Sequence, residues 1–456
     1  MTRPIVGRHL VRYGTAADQK FLVGALRPTY DGLVVNATMA AHIPTALASF
    51  ISQMVKKPFF IDPQTHAFQH DVENLESTSS KKAGKIKRSI QALLDAYGEP
   101  IATTVGQKRR PVLPSHFASA KVRKGFCERV MRFQLEHLAK RFKSSDAAKY
   151  FQFLQAKGKL KTAQCRPGFV IAPYFYMTAN TLEKWLRVNL SMLKECQSSG
   201  GASVGAQVVI SRDVLSSPSL CSTLASKYKS ARPDVILVWI DAFPEESASR
   251  DELLAFASLL KEFGRTAPTV NLHGGYLSVV LSRSGLVQGL DGVAHGLEYG
   301  ESRGVVPVGG GIPTAKYYYP EMHVRLLFRD AMHAVRAAGG LKSARAFHRD
   351  VCDCVECKKV VKSSPEDDFA AYGKTRPVSF IRRGQPVAMD YPVPETKDHS
   401  VRHYMWCKKV EYATAQSVPD VINGLRLAER FKKELGASKV AHCRIWSSVL
   451  RALSKS

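Results

Sequence analysis

In the stretch 349-RDVCDCVECKKV-360, Cys352, Cys354 and Cys357 fall within six residues of an otherwise cysteine-poor chain. Three thiolates at that spacing can share one soft or borderline cation, zinc foremost; left free and exposed, they would be oxidation liabilities. A closed tetrahedral site needs a fourth ligand, and 398-DHSVRHYMWCKK-409 supplies His399, His403 and Cys407 as candidates. His348 is almost adjacent to the cluster and ties down little chain, so His403 is favoured. Four protein ligands leave no open position for water, so the Zn2+ is expected to be structural, stapling a carboxyl-terminal subdomain. Cys127, Cys165, Cys196, Cys221 and Cys443 stand singly and read as buried small hydrophobes rather than a disulfide framework.

Four further segments end apolar runs in groups that can do chemistry. KPFFIDPQTHAF carries Asp62, DVILVWIDAFPEE carries Asp241, APTVNLHGG ends in Gly274 and Gly275, and LDGVAHG holds Asp291 and His295. A carboxylate just past a strand either caps the next helix or joins an active-site rim. Paired glycines admit close backbone approach to a ligand, or form a plain turn. A histidine at a strand end serves acid–base steps or a buried hydrogen bond.

The elements that position these residues alternate. From residue 30 onward YDGLVVN, KPFFIDPQ, CRPGFVIAP, GAQVVIS, PDVILVWID, APTVNLHGG and LDGVAHG are each followed by a stretch of helical period. That alternation predicts a parallel sheet. Runs apolar on both faces, close to eight in number, favour a closed (β/α)8 TIM-like barrel over an open doubly wound sheet. A basic helical insertion is expected at about residues 75–160, with Phe126, Phe133, Phe142 and Tyr150 interleaved among its lysines and arginines. The expected division is a barrel over 1–350 and a zinc-binding, helical subdomain over 351–456. Within the latter, 362–400 reads as loop or an irregular insert, and VPDVINGLRLAERFKKELG as a helix on the barrel. The stretch 304-GVVPVGGGIPTAKYYYP-320 reads as a loop near the barrel mouth.

Lys and Arg number 66 against 39 Asp and Glu, a formal charge of +27. Such an excess repels itself unless a polyanion is a regular partner, and nucleic acid is the default candidate. No run approaches the length that spans a bilayer and the amino end lacks a secretory core, so no membrane partner and a cytoplasmic location are expected.

Barrel-like strands followed by CDCVEC and a later histidine resemble the tRNA-guanine transglycosylase family and its relatives that place deazaguanines in DNA. The resemblance implies that Cys352, Cys354, Cys357 and His403 hold Zn2+. It also implies that Asp62 transfers protons and contacts the base, that Asp241 hydrogen-bonds a guanine edge, and that Gly274 and Gly275 lie against the base. The family's Gly-Val-Asp-Met-Phe-Asp is here 289-GLDGVAHG-296, which keeps the first aspartate as Asp291 and has Ala294 or His295 where the nucleophile should stand. Asp291, Glu298 and Glu301 are the substitutes in reach. The implied activity is exchange of guanine for a 7-deazaguanine in DNA, slightly preferred, or in tRNA, with the basic insertion holding phosphates; a homodimer stays open. Two other readings stand beside it: a non-catalytic nucleic-acid-binding relative, for instance in defence, and an unrelated zinc module on a hydrolase barrel.

Overall fold

In a computed structural model, the described residues are 8–77, 84–141, 165–297, 302–306, 314–382 and 385–455. Eight strands form one parallel sheet: β1 (His9–Tyr13), β2 (Gly32–Asn36), β3 (Phe59–Asp62), β4 (Val170–Ile171), β5 (Val204–Ile210), β6 (Val235–Ile240), β7 (Thr269–Asn271) and β8 (Leu290–His295). Their order is β3-β2-β1-β8-β7-β6-β5-β4. The Gly168 N–H donates to the Phe59 carbonyl (2.9 Å), bringing the two outer strands together and nearly closing a TIM-like barrel with helices around it. Every residue of β5 and of β6 is buried, as strands covered by helices outside and by other strands inside require. Leu10, Val34, Phe60, Leu237, Val270 and Ala294 are among those that fill the lumen.

One strand escaped the sequence reading. β1 lies upstream of residue 30 and its HLVRY is interrupted by His9 and Arg12, yet it pairs with both β2 and β8 at the centre of the sheet. The basic insertion is helical where described, with helices Arg88–Tyr97 and Ala120–Arg141. Its Phe126 and Phe133 turn inward, edge-on to Tyr97, so they build core and offer no stacking surface. Phe142 and Tyr150 lie outside the described residues. Gln134 fixes the longer helix to the barrel by a two-way bond with Ile171, its amide donating to the carbonyl and accepting from the N–H, each at 2.8 Å.

The region after β8 departs from the expected division. β9 (Lys316–Tyr319) and β10 (Val324–Leu327) form a hairpin, and the expected loop contains a second one, β11 (Thr375–Arg382) with β12 (Gln385–Pro392). Both strands of that ribbon are edges, which is where proline is tolerated. The helix Pro394–Thr414 then returns to the barrel wall: Tyr412 donates its hydroxyl to the Val293 carbonyl of β8 (3.2 Å) and accepts Arg283 Nε at its own carbonyl (2.7 Å). The cysteine-rich segment is thus inserted between the last strand and a helix of the barrel shell. The expected carboxyl-terminal helix breaks after Ala428, and a further helix, Ala437–Leu453, begins after Gly436 at φ +86°. Trp446 of that last helix donates to the Glu245 carbonyl (3.0 Å). Among the described residues no helix is long and apolar enough to cross a membrane.

Candidate metal centre and barrel mouth

The cysteine cluster closes on one imidazole. Cys354 opens the short helix Val355–Val360, and N–H groups of Cys354 and Cys357 point at the sulfurs of Cys352 and Cys354 (3.5 and 3.4 Å). His403 Nδ1 lies 3.8 Å from Cys352 Sγ, 3.3 Å from Cys354, 3.4 Å from Cys357 and 3.5 Å from Cys407. A tetrahedral ion with metal–sulfur bonds near 2.3 Å and a metal–nitrogen bond near 2.05 Å would place nitrogen and sulfur about 3.6 Å apart. The ring's other nitrogen, Nε2, donates to the Tyr318 carbonyl (2.6 Å). That bond puts the ring proton on Nε2 and aims the Nδ1 lone pair at the sulfurs, the outer-shell arrangement of a ligating histidine.

The donor set is larger than expected. Cys407, one helical turn after His403, joins Cys352, Cys354 and His403 in a four-group cluster that can hold a metal ion. Cys357 also approaches His403, and its sulfur is flanked by the Tyr317 and Tyr372 hydroxyls at 3.4 Å each. Cys352, Cys354 and His403 are common to both sets. His399 is elsewhere, its Nδ1 2.7 Å from Glu356 Oε1, and His348 faces the carbonyls of Cys352 and Val361.

The carboxyl ends of the parallel strands form the second candidate site. Asp62, the last residue of β3, is buried and accepts the Tyr174 hydroxyl (2.6 Å) and the Gln64 N–H (2.9 Å) at Oδ1. Burial pushes its pKa up, while these bonds, the neighbouring Gln207 amide and the Arg303 charge act against that rise. Asp241 follows β6 and accepts the Tyr176 hydroxyl (2.9 Å) and the Val305 N–H (2.7 Å). One three-residue stretch after β4 therefore supplies a tyrosine to each carboxylate. Between them lie aromatic faces: His66 is stacked on Tyr174 (5.3 Å) and edge-on to Trp239 (5.0 Å), and His273 is stacked on Trp239 (4.5 Å). Arg12 Nη1 lies 3.1 Å from His273 Nε2. The segment 302–306 folds over this end, its Arg303 carbonyl accepting Trp239 Nε1 (3.2 Å) and Ala242 N–H (3.0 Å).

The other expected residues do not join the mouth. Asp291 is the second residue of β8, exposed at the opposite, amino-terminal end of the barrel, so it cannot face Asp62. His295 is at the correct end but on the outer side of β8, because its neighbour Ala294 takes the lumen side and side chains alternate. Its Nε2 is 3.0 Å from the Tyr412 hydroxyl and its ring is edge-on to His9, while burial and then Lys408 hold its pKa well below the usual histidine range. Gly274 and Gly275 accommodate protein rather than base. A Cβ on Gly274 would sit 2.3 Å from Val293 Cγ1, and one on Gly275 2.8 Å from Glu245 Oε2, which lies against the helix Tyr276–Arg283. Gly274→Ala is accordingly expected to cost about 1–3 kcal/mol through overpacking, read in thermal unfolding, with ligand binding at the mouth unchanged. Glu298, Glu301 and residues 307–313 of the glycine-rich loop lie outside the described residues.

Sequence reasoning missed His66, Tyr174, Tyr176, Trp239 and His273. The signal was present in part: 174-YFY-176 places hydroxyls two residues apart just past a strand, with Phe175 turned into the core between them. No family model matches the chain, and no curated protein matches it.

Proposed function

We propose that the barrel mouth receives a purine-type base drawn out of nucleic acid and that the chain is a base-exchange transglycosylase, replacing guanine by a 7-deazaguanine. The observation that carries this reading is the pair of carboxylates, Asp62 and Asp241, each held by a tyrosine of one stretch around the His66, Tyr174 and Trp239 rings. Carboxylates accept from the N–H edge of a purine, and flat aromatic walls suit its faces. In this reading the cation at Cys352, Cys354, His403 and Cys407 or Cys357 is Zn2+, with a structural role, since its protein donors suffice to close a tetrahedron. The test is incubation of the full chain with labelled guanine and either duplex DNA or tRNA. Incorporation is expected, and Asp62→Ala and Asp241→Ala should abolish it; unchanged incorporation in both variants would remove the assignment.

A second reading has its own support. Ala294 stands on the lumen side of β8, where the resemblance would put the nucleophile, and an alanine cannot attack a sugar. Binding of nucleic acid without incorporation of label in any arm would favour a recognition protein on the same scaffold.

For either reading the basic helix supplies the phosphate contacts. Lys121, Lys124 and Arg132 are exposed along Ala120–Arg141, whereas Arg123 and Arg129 bond backbone carbonyls. Replacing the three exposed cations by alanine is expected to weaken binding of all sequences alike and to reduce the salt dependence of log K by about 2–3. Filter binding at several salt concentrations measures it; an unchanged slope would place the phosphates elsewhere.

A further inference from the structure

The turn after β3 carries a histidine whose surroundings go beyond recognition. Gln64, in the left-handed conformation at φ 53°, and the short helical turn Thr65–Gln69 bring His66 back over Asp62. Thr65 bolts this turn to the segment after β4, its hydroxyl donating to the Tyr174 carbonyl (2.6 Å) and accepting the Tyr174 N–H (2.9 Å). The Tyr174 hydroxyl then stands between Asp62 Oδ1 at 2.6 Å and His66 Nδ1 at 2.8 Å. All three side chains are buried.

A hydroxyl has one proton, so these two contacts are coupled. With Asp62 ionised, Tyr174 donates to the carboxylate and must accept from His66 Nδ1–H, which leaves the lone pair on Nε2. With Asp62 protonated, the same bonds reverse: Asp62 donates to Tyr174, Tyr174 donates to His66 Nδ1, and the imidazole proton sits on Nε2. Among the described residues His66 Nε2 has no hydrogen-bond partner, and the ring lies between Tyr174 and Trp239 at the mouth.

We infer that His66 is the proton-exchanging residue of the barrel mouth, linked through the Tyr174 hydroxyl to Asp62, with Nε2 as the atom that meets the bound base. The inference rests on the base-exchange reading and deepens it. In the exchange, a carboxylate of the mouth bonds to the sugar carbon as the bond to the departing base nitrogen breaks and that nitrogen gains a proton; the incoming base then displaces the carboxylate, losing its N–H proton as the new bond forms. When the incoming N–H gives its proton to His66 Nε2, the Nδ1 proton passes to Tyr174 and the Tyr174 proton to Asp62. Protonation of the departing nitrogen runs the same path backwards, so a full cycle is proton-neutral. The imidazole never needs to carry charge, which matters because burial, with His70 and Arg303, holds its pKa well below the usual range. Burial meanwhile pushes Asp62 up, making it the better proton store. Tyr174 is the positioning residue of this relay, and His66 the catalytic one.

Nitrogen-15 NMR of histidine-labelled full chain tests this without requiring turnover. His66, assigned by its loss in His66→Gln, should be the neutral Nδ1–H tautomer at high pH. It should convert to the neutral Nε2–H tautomer as Asp62 protonates, and Tyr174→Phe should abolish the conversion. Added guanine should shift the Nε2 resonance in the wild type. In the incorporation assay His66→Gln should retain guanine binding within about threefold while exchange falls by about 10²–10⁴-fold, the range of general acid–base catalysis. A single tautomer across the pH range, or exchange by His66→Gln at the wild-type rate, overturns the inference. A relay that titrates as described but does not respond to guanine removes the base-exchange reading instead, and the role of His66 with it.

Discussion

Replacing Cys354 and His403 together by alanine is expected to release the bound metal and to loosen the chain from Cys352 to the helix Pro394–Thr414. The imidazole lies 3.3 to 3.8 Å from the four sulfurs, and the double replacement leaves Cys352, Cys357 and Cys407, one ligand short of a tetrahedron. Structural zinc supplies about 10–16 kcal/mol in small isolated domains. Here the segment is also held by packing, so a loss of at least several kcal/mol is expected, with metal content falling from one per chain to near zero by elemental analysis. Cys407→Ser and Cys357→Ser separately should retain most of the metal, since each leaves Cys352, Cys354, His403 and one further thiol. Full metal content in the double variant would move the ligand assignment elsewhere.

Breaking the buried ion pair beneath that centre should be nearly as costly. Lys408 Nζ lies 2.8 Å from Glu411 Oε2, and the two side chains are 1% and 5% exposed. Glu411 also accepts the Tyr318 hydroxyl and faces His323 Nδ1 at 2.7 Å. Tyr318 is the link upward, because its carbonyl holds His403. Removing one partner of a buried pair leaves an uncompensated charge, so Glu411→Ala is expected to cost about 3–5 kcal/mol. Pairing it with Lys408→Met should recover part of that loss, giving a non-additive cycle in urea unfolding; additive losses would deny the coupling.

The same carboxylate sets a pH dependence. Burial pushes Glu411 up, but Lys408 and His323 outweigh it and hold the pKa down at about 2. A carboxyl depressed on folding contributes stability that is complete above its unfolded pKa and is lost as pH falls through the folded value. The contribution should therefore be constant above about pH 5 and decline by about 3 kcal/mol toward pH 2, a decline absent from Glu411→Ala.

The sequence disclosed the barrel where its strands were uninterrupted. PDVILVWID and GAQVVIS carry their own boundaries, whereas HLVRY does not, because Arg12 and His9 interrupt its apolar run and only tertiary pairing reveals it as the central strand. The candidate metal centre was legible in Cys352, Cys354 and Cys357, since ligand spacing within one turn is local information. Its partner was legible only as a choice: His403 and Cys407 are one helical turn apart, and the helix that orients them is fixed by a contact to β8 119 residues upstream. The strand-end carboxylates were found because carboxyl ends of parallel strands are where such barrels place their chemistry. Asp291 and His295 failed for reasons of direction. One lies at the wrong end of β8 and the other on its outer face, and a slip of one residue in facing decides which side chain enters the lumen. His66 was invisible because its hydrogen-bond partner is a tyrosine 108 residues away.

The most direct measurement of the central claim is a crystal structure of the full chain saturated with guanine. The account predicts the purine at the carboxyl ends of the strands, against the His66, Tyr174 and Trp239 rings, with its polar edge on Asp62 or Asp241. Guanine bound elsewhere, or a mouth without guanine in crystals soaked well above its solution dissociation constant, would contradict it.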